Sequence, residues 1–361
     1  MTIKVLSING WCRNGSTIIG NLLNEVEGFF HVGELHFLWK NAYGKGSNTK
    51  CGCGRELVVC PIWSRVLESE QPAAHTREAY AREVCARQAR SIRTRHTWRA
   101  LRDGIASEDR RQHAETMTRT YRAIVEATGC QVIVDSTKIP GEAALLEHVK
   151  GIEAYYVHLV RDPRATAHSW MRQKDYAYKL SAFRSTAYWL TFNLASRALL
   201  ARYPERSLFV RYEDFIREPA PVLRTLVELV GGDPSTLPLR GRIAELQPNH
   251  TVTGNPDRFR SGPTVIRPDD SKWRDELPMR DQLTTTALAW PLMWKYGYPL
   301  TGGTTRAPAD AAHMLANADS HSRDHAKPRD YAASSDRADS DHTHSHPQPQ
   351  PRSERGPRSA K

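Results

Sequence analysis

A glycine loop close to the N-terminus constrains the fold more than any other feature of this chain. Residues 3–8 (IKVLSI) are mostly apolar and end at Asn9-Gly10, a pattern typical of a buried strand. Residues 10–17 (GWCRNGST) have the G-x-x-x-x-G skeleton of a phosphate-binding loop, and residues 16–26 then repeat apolar residues at helical spacing. Backbone amides of such a loop, together with the helix N-terminus, predict an anion site.

The loop departs from the version found in nucleoside-triphosphatases. There a lysine follows the second glycine and reaches the β- and γ-phosphates, whereas this chain has Ser16 at that position and a cation earlier, at Arg13. Asp135 is the candidate for a magnesium ligand after an apolar strand, but Ser136-Thr137-Lys138 follows it. These departures disfavour a kinase or nucleotide hydrolase, and a simple tight turn remains the other interpretation of the loop.

Strand-like and helix-like segments alternate beyond the loop. Predicted strands are 131–135, 154–160 and 208–211, and predicted helices are 142–149, 181–203 and 219–230. This alternation predicts an α/β fold with an open parallel sheet flanked by helices and right-handed crossovers. Ligands of such sheets bind beyond the carboxyl ends of the strands.

The composition divides the chain into two parts. Residues 301–361 contain only Met314, Leu315 and Tyr331 as large apolar residues, too few to offset the entropy of ordering. We therefore expect one domain over residues 1–300 and a disordered C-terminal tail over 301–361. The tail carries nine Lys+Arg and eight Asp+Glu, which leaves +10 of the net charge of +11 for the domain.

Much of that charge lies in a predicted helical insertion at about residues 62–128. From Arg77 to Arg122 it contains twelve arginines, no lysine and six acidic residues. Amphipathic helices with solvated basic faces are one interpretation. A surface for an anionic acceptor or a lipid headgroup, with peripheral membrane contact, is the other.

The N-terminus lacks a long apolar segment and a small-residue cleavage site, so we expect no targeting peptide and no transmembrane segment. Six cysteines in 361 residues do not make a disulfide scaffold, which favours a cytoplasmic protein with reduced thiols.

Three of the cysteines form a short cluster, Cys51-x-Cys53-x6-Cys60. A complete zinc site needs four ligands, and this spacing supplies three, with His36 or Cys12 as candidates for the fourth. Packed thiols or a redox-sensitive pair are the alternatives, and we expect no metal.

Two further segments combine arginines with turn residues. Residues 157–164 (VHLVRDPR) take Arg161 out of a predicted strand, and Ser169 follows about two turns along the next helix, so both residues suit one phosphate. An Asp162-Pro163 helix cap with a surface serine is the simpler interpretation. Residues 258–268 (RFRSGPTVIRP), followed by Ser271-Lys272-Trp273, suit a nucleotide or simply form a basic surface loop.

Taken together and in order, these motifs resemble those of PAPS-dependent sulfotransferases of the tyrosylprotein and carbohydrate type, whose fold is a P-loop-like parallel sheet. Residues 13–17 (RNGST) are similar to the phosphosulfate loop, residues 160–164 with Ser169 to the 3′-phosphate signature, and residues 211–214 (RYED) to a short motif after a later strand. Residues 260–273 are similar to the loop that closes over the nucleotide. The likeness runs from about residue 3 to 298.

The resemblance implies 3′-phosphoadenosine 5′-phosphosulfate (PAPS) as the sulfuryl donor and no requirement for a metal. It implies that the 5′-phosphosulfate is held by a set of five loop residues, namely Arg13, Asn14, Gly15, Ser16 and Thr17. It implies that the 3′-phosphate is held by a second set, namely Arg161, Ser169, Arg260, Ser261 and Gly262.

The catalytic residues implied by the resemblance are Glu34, Lys138 and Arg13. Glu34 occupies the position of a catalytic glutamate and is our candidate for the base that takes the acceptor proton. Lys138 matches a lysine that reaches the sulfuryl group. His36 and His250 are weaker candidates for the base.

The acceptor stays undefined. We expect a small molecule, a glycolipid or a carbohydrate, and a phenol or a peptide tyrosine also offers a hydroxyl. A nucleic-acid-binding protein is the remaining alternative from another class. The chain lacks the aromatic–basic clusters of RNA-binding modules, so we expect no nucleic acid as a partner.

Overall fold

The computed structural model describes residues 2–70, 76–172 and 179–301. The tail predicted for residues 301–361 lies outside the described residues, apart from Thr301.

Five strands form a single parallel sheet, which confirms the predicted α/β architecture. The strands are β1 (Ile3–Asn9), β2 (Phe29–Gly33), β3 (Val132–Asp135), β4 (Ile152–Val160) and β5 (Ser207–Arg211). Their order across the sheet is β2-β3-β1-β4-β5, with every pair parallel. The carboxyl ends of all five strands therefore meet at one edge.

Helices cover both faces of this sheet. They are α1 (Ser16–Asn24), α2 (Leu38–Ala42), α3 (Trp63–Glu70), α4 (Arg77–Ser91), α5 (Thr97–Asp103), α6 (Glu108–Thr128), α7 (Pro140–Ala143), α8 (Pro163–Met171), α9 (Ala182–Arg202), α10 (Tyr212–Arg217), α11 (Pro219–Leu229), α12 (Trp273–Glu276) and α13 (Met279–Lys295). Among these described helices, none has the length and apolar character that crossing a membrane requires.

Alternate residues of β1 supply the two main cores. Val5 packs with Trp63 and Tyr121 of the insertion helices, whereas Leu6 packs on the opposite face with Leu22 of α1 and Leu223 of α11. Because both faces of the sheet are buried, its strands are nearly continuous apolar runs, which is why the sequence predicted four of them.

Three features of the fold differ from the predictions. Strand β2 was not predicted, since its five residues follow α1 closely and form a strand only by pairing with β3. The helix predicted at 142–149 is wrong in extent, because α7 ends at Ala143 and a separate 3-10 turn spans Leu146–His148. A small antiparallel sheet of β6 (Leu239–Arg240), β7 (Ile243–Leu246) and β8 (Gly262–Val265) was also missed.

The predicted insertion is helical and contains α3 to α6. Several of its arginines pair with its own acidic residues, among them Arg90 with Asp109 and Arg111 with Glu108. Arg87 is buried, where it donates to Thr116 Oγ1 at 3.2 Å. These local pairs favour the interpretation as amphipathic helices with solvated basic faces.

Candidate active site

A cleft of about 500 Å³ opens at the carboxyl edge of the sheet, within the size range of small-ligand sites. Each of the five strands delivers one side chain to its wall shortly after the strand ends. Arg13 follows β1, Glu34 follows β2, Lys138 follows β3, Arg161 follows β4 and Tyr212 follows β5. Residues distant in sequence therefore converge because parallel strands end together.

The glycine loop forms one wall of this cleft. Gly15 has a φ of +91° and precedes Ser16, where α1 begins, so the helix N-terminus faces the loop as an anion site requires. A Cβ on Gly15 would lie 2.2 Å from the ring of Tyr212, so glycine is needed here for close packing as well as for conformation. Thr17 also lines the wall.

Lys138 lies at the centre of the site. Its ammonium donates to Glu34 Oε1 at 2.8 Å and to the Ser136 carbonyl at 2.7 Å, and it lies 3.3 Å from Ser16 Oγ. Burial would lower the pKa of Lys138, but the Glu34 carboxylate raises it above its ordinary value. A charged lysine thus stands beside the loop that lacks the usual P-loop lysine, although it comes from a different strand.

The backbone at Arg13 and Lys138 is strained. Among the described residues other than glycine, these two have positive φ values, of 72° and 62°. Such conformations cost about 1–3 kcal/mol each and persist where the surrounding structure requires them. Both residues carry a cation to the cleft, which associates the strain with the site.

Arg161 connects the glycine loop to a distant acidic residue. Its guanidinium donates to the Arg13 carbonyl at 2.8 Å, lies over the Tyr212 ring at 5.0 Å and forms a fork with both carboxylate oxygens of Asp270. Burial would lower the pKa of Arg161, but the Asp270 carboxylate raises it. A carboxylate therefore occupies the anion-binding fork of this arginine.

Residues 160–164 and Ser169 have features of both interpretations, the helix cap and the phosphate contact. Asp162 caps α8 by accepting from the Arg164 amide at 2.8 Å, as the cap interpretation predicts. Ser169 nevertheless lines the same cleft as Arg161. The local motif is thus a helix cap that also aims a cation at the cleft.

Four of the predicted donor-binding residues do not lie on the cleft wall. Asn14 is buried and donates to the Leu159 carbonyl at 2.8 Å, which ties the loop to β4. Arg260 is exposed and pairs with Asp257, itself a wall residue, while Ser261 directly precedes β8 and Gly262 begins it. Their assignment to the donor stays a prediction.

The histidines flanking the glutamate have other partners. His31 is buried beside Ser136 Oγ at 3.1 Å, and burial lowers its pKa to about 3. The His36 ring bonds Glu142 at 2.8 Å. His250 lies among the cysteines, 3.2 Å from Cys60 Sγ. Glu34 is the carboxylate that lies beside Lys138 in the cleft.

The surroundings of Asp135 are not those of a magnesium ligand in the cleft. It is buried, accepts from Tyr121 at 2.9 Å and from the Thr137 amide at 2.9 Å, and does not line the cleft. Burial raises its pKa to about 6. Its contacts stabilise the end of β3, which supports the earlier argument against a nucleoside-triphosphatase.

Several wall residues were not predicted from the sequence. Trp170 stacks on Trp11 with ring centroids 5.5 Å apart and carries the Arg13 guanidinium 4.8 Å above its ring. Cys12 and Ile18 on either side of the second glycine also line the wall. The other wall residues come from two segments, at 37–48, which includes α2, and at 253–257, and are Phe37, Lys40, Asn41, Lys45, Gly46, Ser47, Asn48, Thr253, Gly254, Asn255 and Asp257. Trp170 directly follows Ser169, and this adjacency is the signal that could have found it. The two segments carry no local motif.

No described residue of the Arg-rich segment from Arg77 to Arg122 lines the cleft. The interpretation of that segment as an acceptor surface therefore gains no support from the cleft's geometry.

Comparison with known proteins gives one family match. The family model described as "Sulfotransferase family" matches residues 6–233, more than half of the chain. No curated protein sequence matches significantly.

Two sulfotransferase domains are among the solved structures to which this chain is similar. The domain from the Synechococcus PCC 7002 olefin synthase is 22% identical, with a TM-score of 0.47, covering 81% of this chain and 95% of that one. The domain from the curacin biosynthetic pathway is 17% identical, with a TM-score of 0.44, covering 83% of this chain and 99% of that one.

Proposed function

This chain belongs to the sulfotransferase family, and we propose that it transfers the sulfuryl group of PAPS to a hydroxyl of its acceptor. The observation that carries the proposal is the convergence of Arg13, Glu34, Lys138 and Arg161 on one cleft from four different strand ends. That set offers three cations and a carboxylate, which suit a donor with two anionic ends and an acceptor that gives up a proton.

The cleft suits the donor on two independent grounds. The N-terminus of α1 and Arg13 form one anion site, and Ser16 and Thr17 belong to the same wall. Arg161 forms a second site, and its fork already binds an anion in the carboxylate of Asp270. We propose that the 3′-phosphate of the donor takes the place of Asp270 on Arg161, with Ser169 beside it.

Bound in this way, the donor supplies a sulfuryl group with adenosine 3′,5′-bisphosphate as its leaving group. Glu34 accepts the acceptor's proton as the acceptor oxygen bonds to sulfur and the bond from sulfur to the phosphate oxygen breaks. Lys138 and Arg13 stabilise the negative charge that develops on the sulfuryl and leaving oxygens, an effect worth about 2.7–4 kcal/mol for a single donor group in comparable sites.

Lys138 also couples the two halves of the reaction. Its ammonium lies between Ser16 of the donor loop and Glu34 on the acceptor side, at 3.3 Å and 2.8 Å. One lysine can therefore exchange its bond to Glu34 for one to the sulfuryl group, which frees the carboxylate to act as the base.

For the acceptor we propose a small hydroxyl-bearing molecule, such as a carbohydrate or the head of a glycolipid. The wall beyond Glu34 is polar and includes Lys40, Asn41, Lys45 and Asn48, which supports a polar acceptor. Transfer of labelled sulfate from PAPS into extracts of the source cells, followed by identification of the labelled product, tests this class. None of the six cysteines, all of which the structure describes, is in a disulfide, which supports our proposal that the protein works in the reducing cytoplasm.

The donor assignment predicts nucleotide binding that does not depend on magnesium. Adenosine 3′,5′-bisphosphate should bind equally well with and without the metal. ATP, which has no 3′-phosphate for Arg161, should bind about tenfold or more weakly. Calorimetric titrations of both nucleotides measure this. Tight binding of ATP that requires magnesium would instead support a kinase or nucleotide hydrolase.

A lysine at position 161 should weaken recognition of the 3′-phosphate selectively. Lysine keeps the charge but loses the fork, so the Arg161→Lys variant should bind adenosine 3′,5′-bisphosphate about tenfold more weakly. Its affinity for adenosine 5′-phosphate should change little, and this is the internal control. Asp270→Asn, which removes the competing carboxylate, should tighten binding of the bisphosphate. Equal weakening of both nucleotides by Arg161→Lys would contradict the assignment.

A further inference from the structure

Four potential metal ligands lie close together, three of them from residues 51–60 and one from residue 250. They are Cys51, Cys53, Cys60 and His250, and their ligand atoms all lie within 4.8 Å of one another. Three come from the short cluster seen in the sequence. The fourth comes from a segment 190 residues beyond Cys60 and is neither His36 nor Cys12, the candidates that the sequence suggested.

The spacing of these atoms fits a tetrahedral zinc ion. Ideal geometry with Zn–S near 2.3 Å and Zn–N near 2.05 Å places thiolates ~3.8 Å apart and a sulfur ~3.6 Å from the nitrogen. Cys60 Sγ lies 3.5 Å from Cys51 Sγ and 3.9 Å from Cys53 Sγ. His250 Nδ1 lies 3.6 Å from Cys51 Sγ and 3.2 Å from Cys60 Sγ.

A buried cation lies beside the cluster. The Arg258 guanidinium donates to the Lys50 carbonyl at 2.8 Å and to the Thr251 carbonyl at 3.0 Å. Lys50 directly precedes Cys51, and Thr251 directly follows His250. Three thiolates, one neutral histidine and Zn²⁺ together carry a charge of −1, which the guanidinium of Arg258 balances.

The ligands are also held by contacts around them, as in structural metal sites. Trp63 Nε1 donates to the His250 carbonyl at 2.6 Å, and the Gly52 amide donates to the Thr251 carbonyl at 2.9 Å. Glycine at position 52 permits this approach, because a Cβ there would lie 2.1 Å from Asn249 Oδ1 and 2.9 Å from the Asn249 carbonyl oxygen. The 50–60 loop and the 249–251 segment are therefore built to approach closely.

These two segments continue into the wall of the cleft. Just before the cluster, residues 45–48 line the cleft, and just after His250, Thr253 and Gly254 do so. The Glu34 amide donates to the Thr253 carbonyl at 3.3 Å. A cross-link at the cluster would thus fix two loops that shape the cleft beside the proposed base.

We propose that Cys51, Cys53, Cys60 and His250 bind one Zn²⁺ ion as a closed structural site that joins the 50–60 loop to the 249–254 segment. With four protein ligands the ion has no open position for a reactant, so its role is to order the cleft wall rather than to take part in sulfuryl transfer. The site goes beyond the proposed function and does not depend on it.

The experiment measures metal in the full-length protein purified without chelator. We expect about one zinc per chain by elemental analysis. The zinc content per chain should fall about tenfold or more in the variants Cys53→Ser and His250→Ala. It should be unchanged in Cys85→Ser, which alters a cysteine outside the cluster. Six histidines in residues 302–361 could bind metal loosely, but every variant retains them, so the difference reports on the cluster.

Cobalt provides a readout that does not require the variants to fold. Wild-type protein in which zinc is exchanged for Co²⁺ should show thiolate-to-cobalt charge transfer and the intense d–d absorption of a tetrahedral site. Removal of the zinc by a chelator should lower the melting temperature, and added zinc should restore it. Absence of zinc together with absence of the cobalt spectrum would overturn the proposal. A disulfide within the cluster of the isolated protein, or a His250→Ala variant with unchanged zinc, would also overturn it.

Discussion

Replacement of Glu34 by glutamine is expected to lower kcat by about 10²–10⁴-fold, the usual contribution of a general base. Glutamine has nearly the same shape and can still accept from Lys138, whose ammonium lies 2.8 Å from the native carboxylate. It cannot take up a proton, so transfer slows while the donor site stays intact. Initial rates with PAPS and the acceptor, once identified, measure the effect.

Two measurements separate this loss from a damaged fold. The dissociation constant of adenosine 3′,5′-bisphosphate should change by less than about threefold in Glu34→Gln, since the proposed contacts of Glu34 are with Lys138 and the acceptor. Glu27→Gln, at an exposed carboxylate just before β2, is the matched control and should retain wild-type kcat. Near-normal turnover in Glu34→Gln would remove Glu34 from the role of base.

Replacement of Lys138 by methionine should produce a loss of about 10²–10³-fold in kcat, the range found when one charge-stabilising donor is removed from an active site. Methionine is an unbranched side chain one atom shorter than lysine, and its apolar character suits this position, where the side chain is 5% exposed. It removes the cation that lies 3.3 Å from Ser16 of the glycine loop. Steady-state rates measure this loss, and calorimetry with adenosine 3′,5′-bisphosphate measures retained donor-site binding.

The matched control is Lys150→Met. This variant alters an exposed lysine just before β4, at the end of the strand opposite the cleft, and should leave turnover unchanged. The double variant Glu34→Gln/Lys138→Met should lose much less than the product of the two single losses, because the two residues act as a unit. Full multiplicative losses would show that the pair is not coupled. A Lys138→Met variant with normal kcat would contradict a role for this lysine in stabilising the transferred group.

Local sequence patterns were sufficient to predict four of the five strands of the parallel sheet. Residues 3–8 and 154–160 were predicted as strands because apolar runs bounded by turn residues are sufficient to recognise a buried parallel strand. Strand β2 and the small antiparallel sheet were not predicted, because their short segments become strands only through pairing with partners from elsewhere in the chain. The residues of the site divide in the same way, into those that stand in a local motif and those that do not. Arg13 and Arg161 stand in recognisable motifs, whereas the walls at 37–48 and 253–257 have none.

The sequence by itself determined the family and the α/β fold, and it predicted an anion site at the glycine loop. A glycine loop joining a strand to a helix, and an arginine at the end of a later strand, depend on neighbouring residues alone. Only the tertiary structure decided which side chains meet. Lys138 contacts Glu34 across 104 residues, and His250 joins Cys60 across 190. Such encounters follow from strand order and loop paths, which depend on the packing of the whole chain.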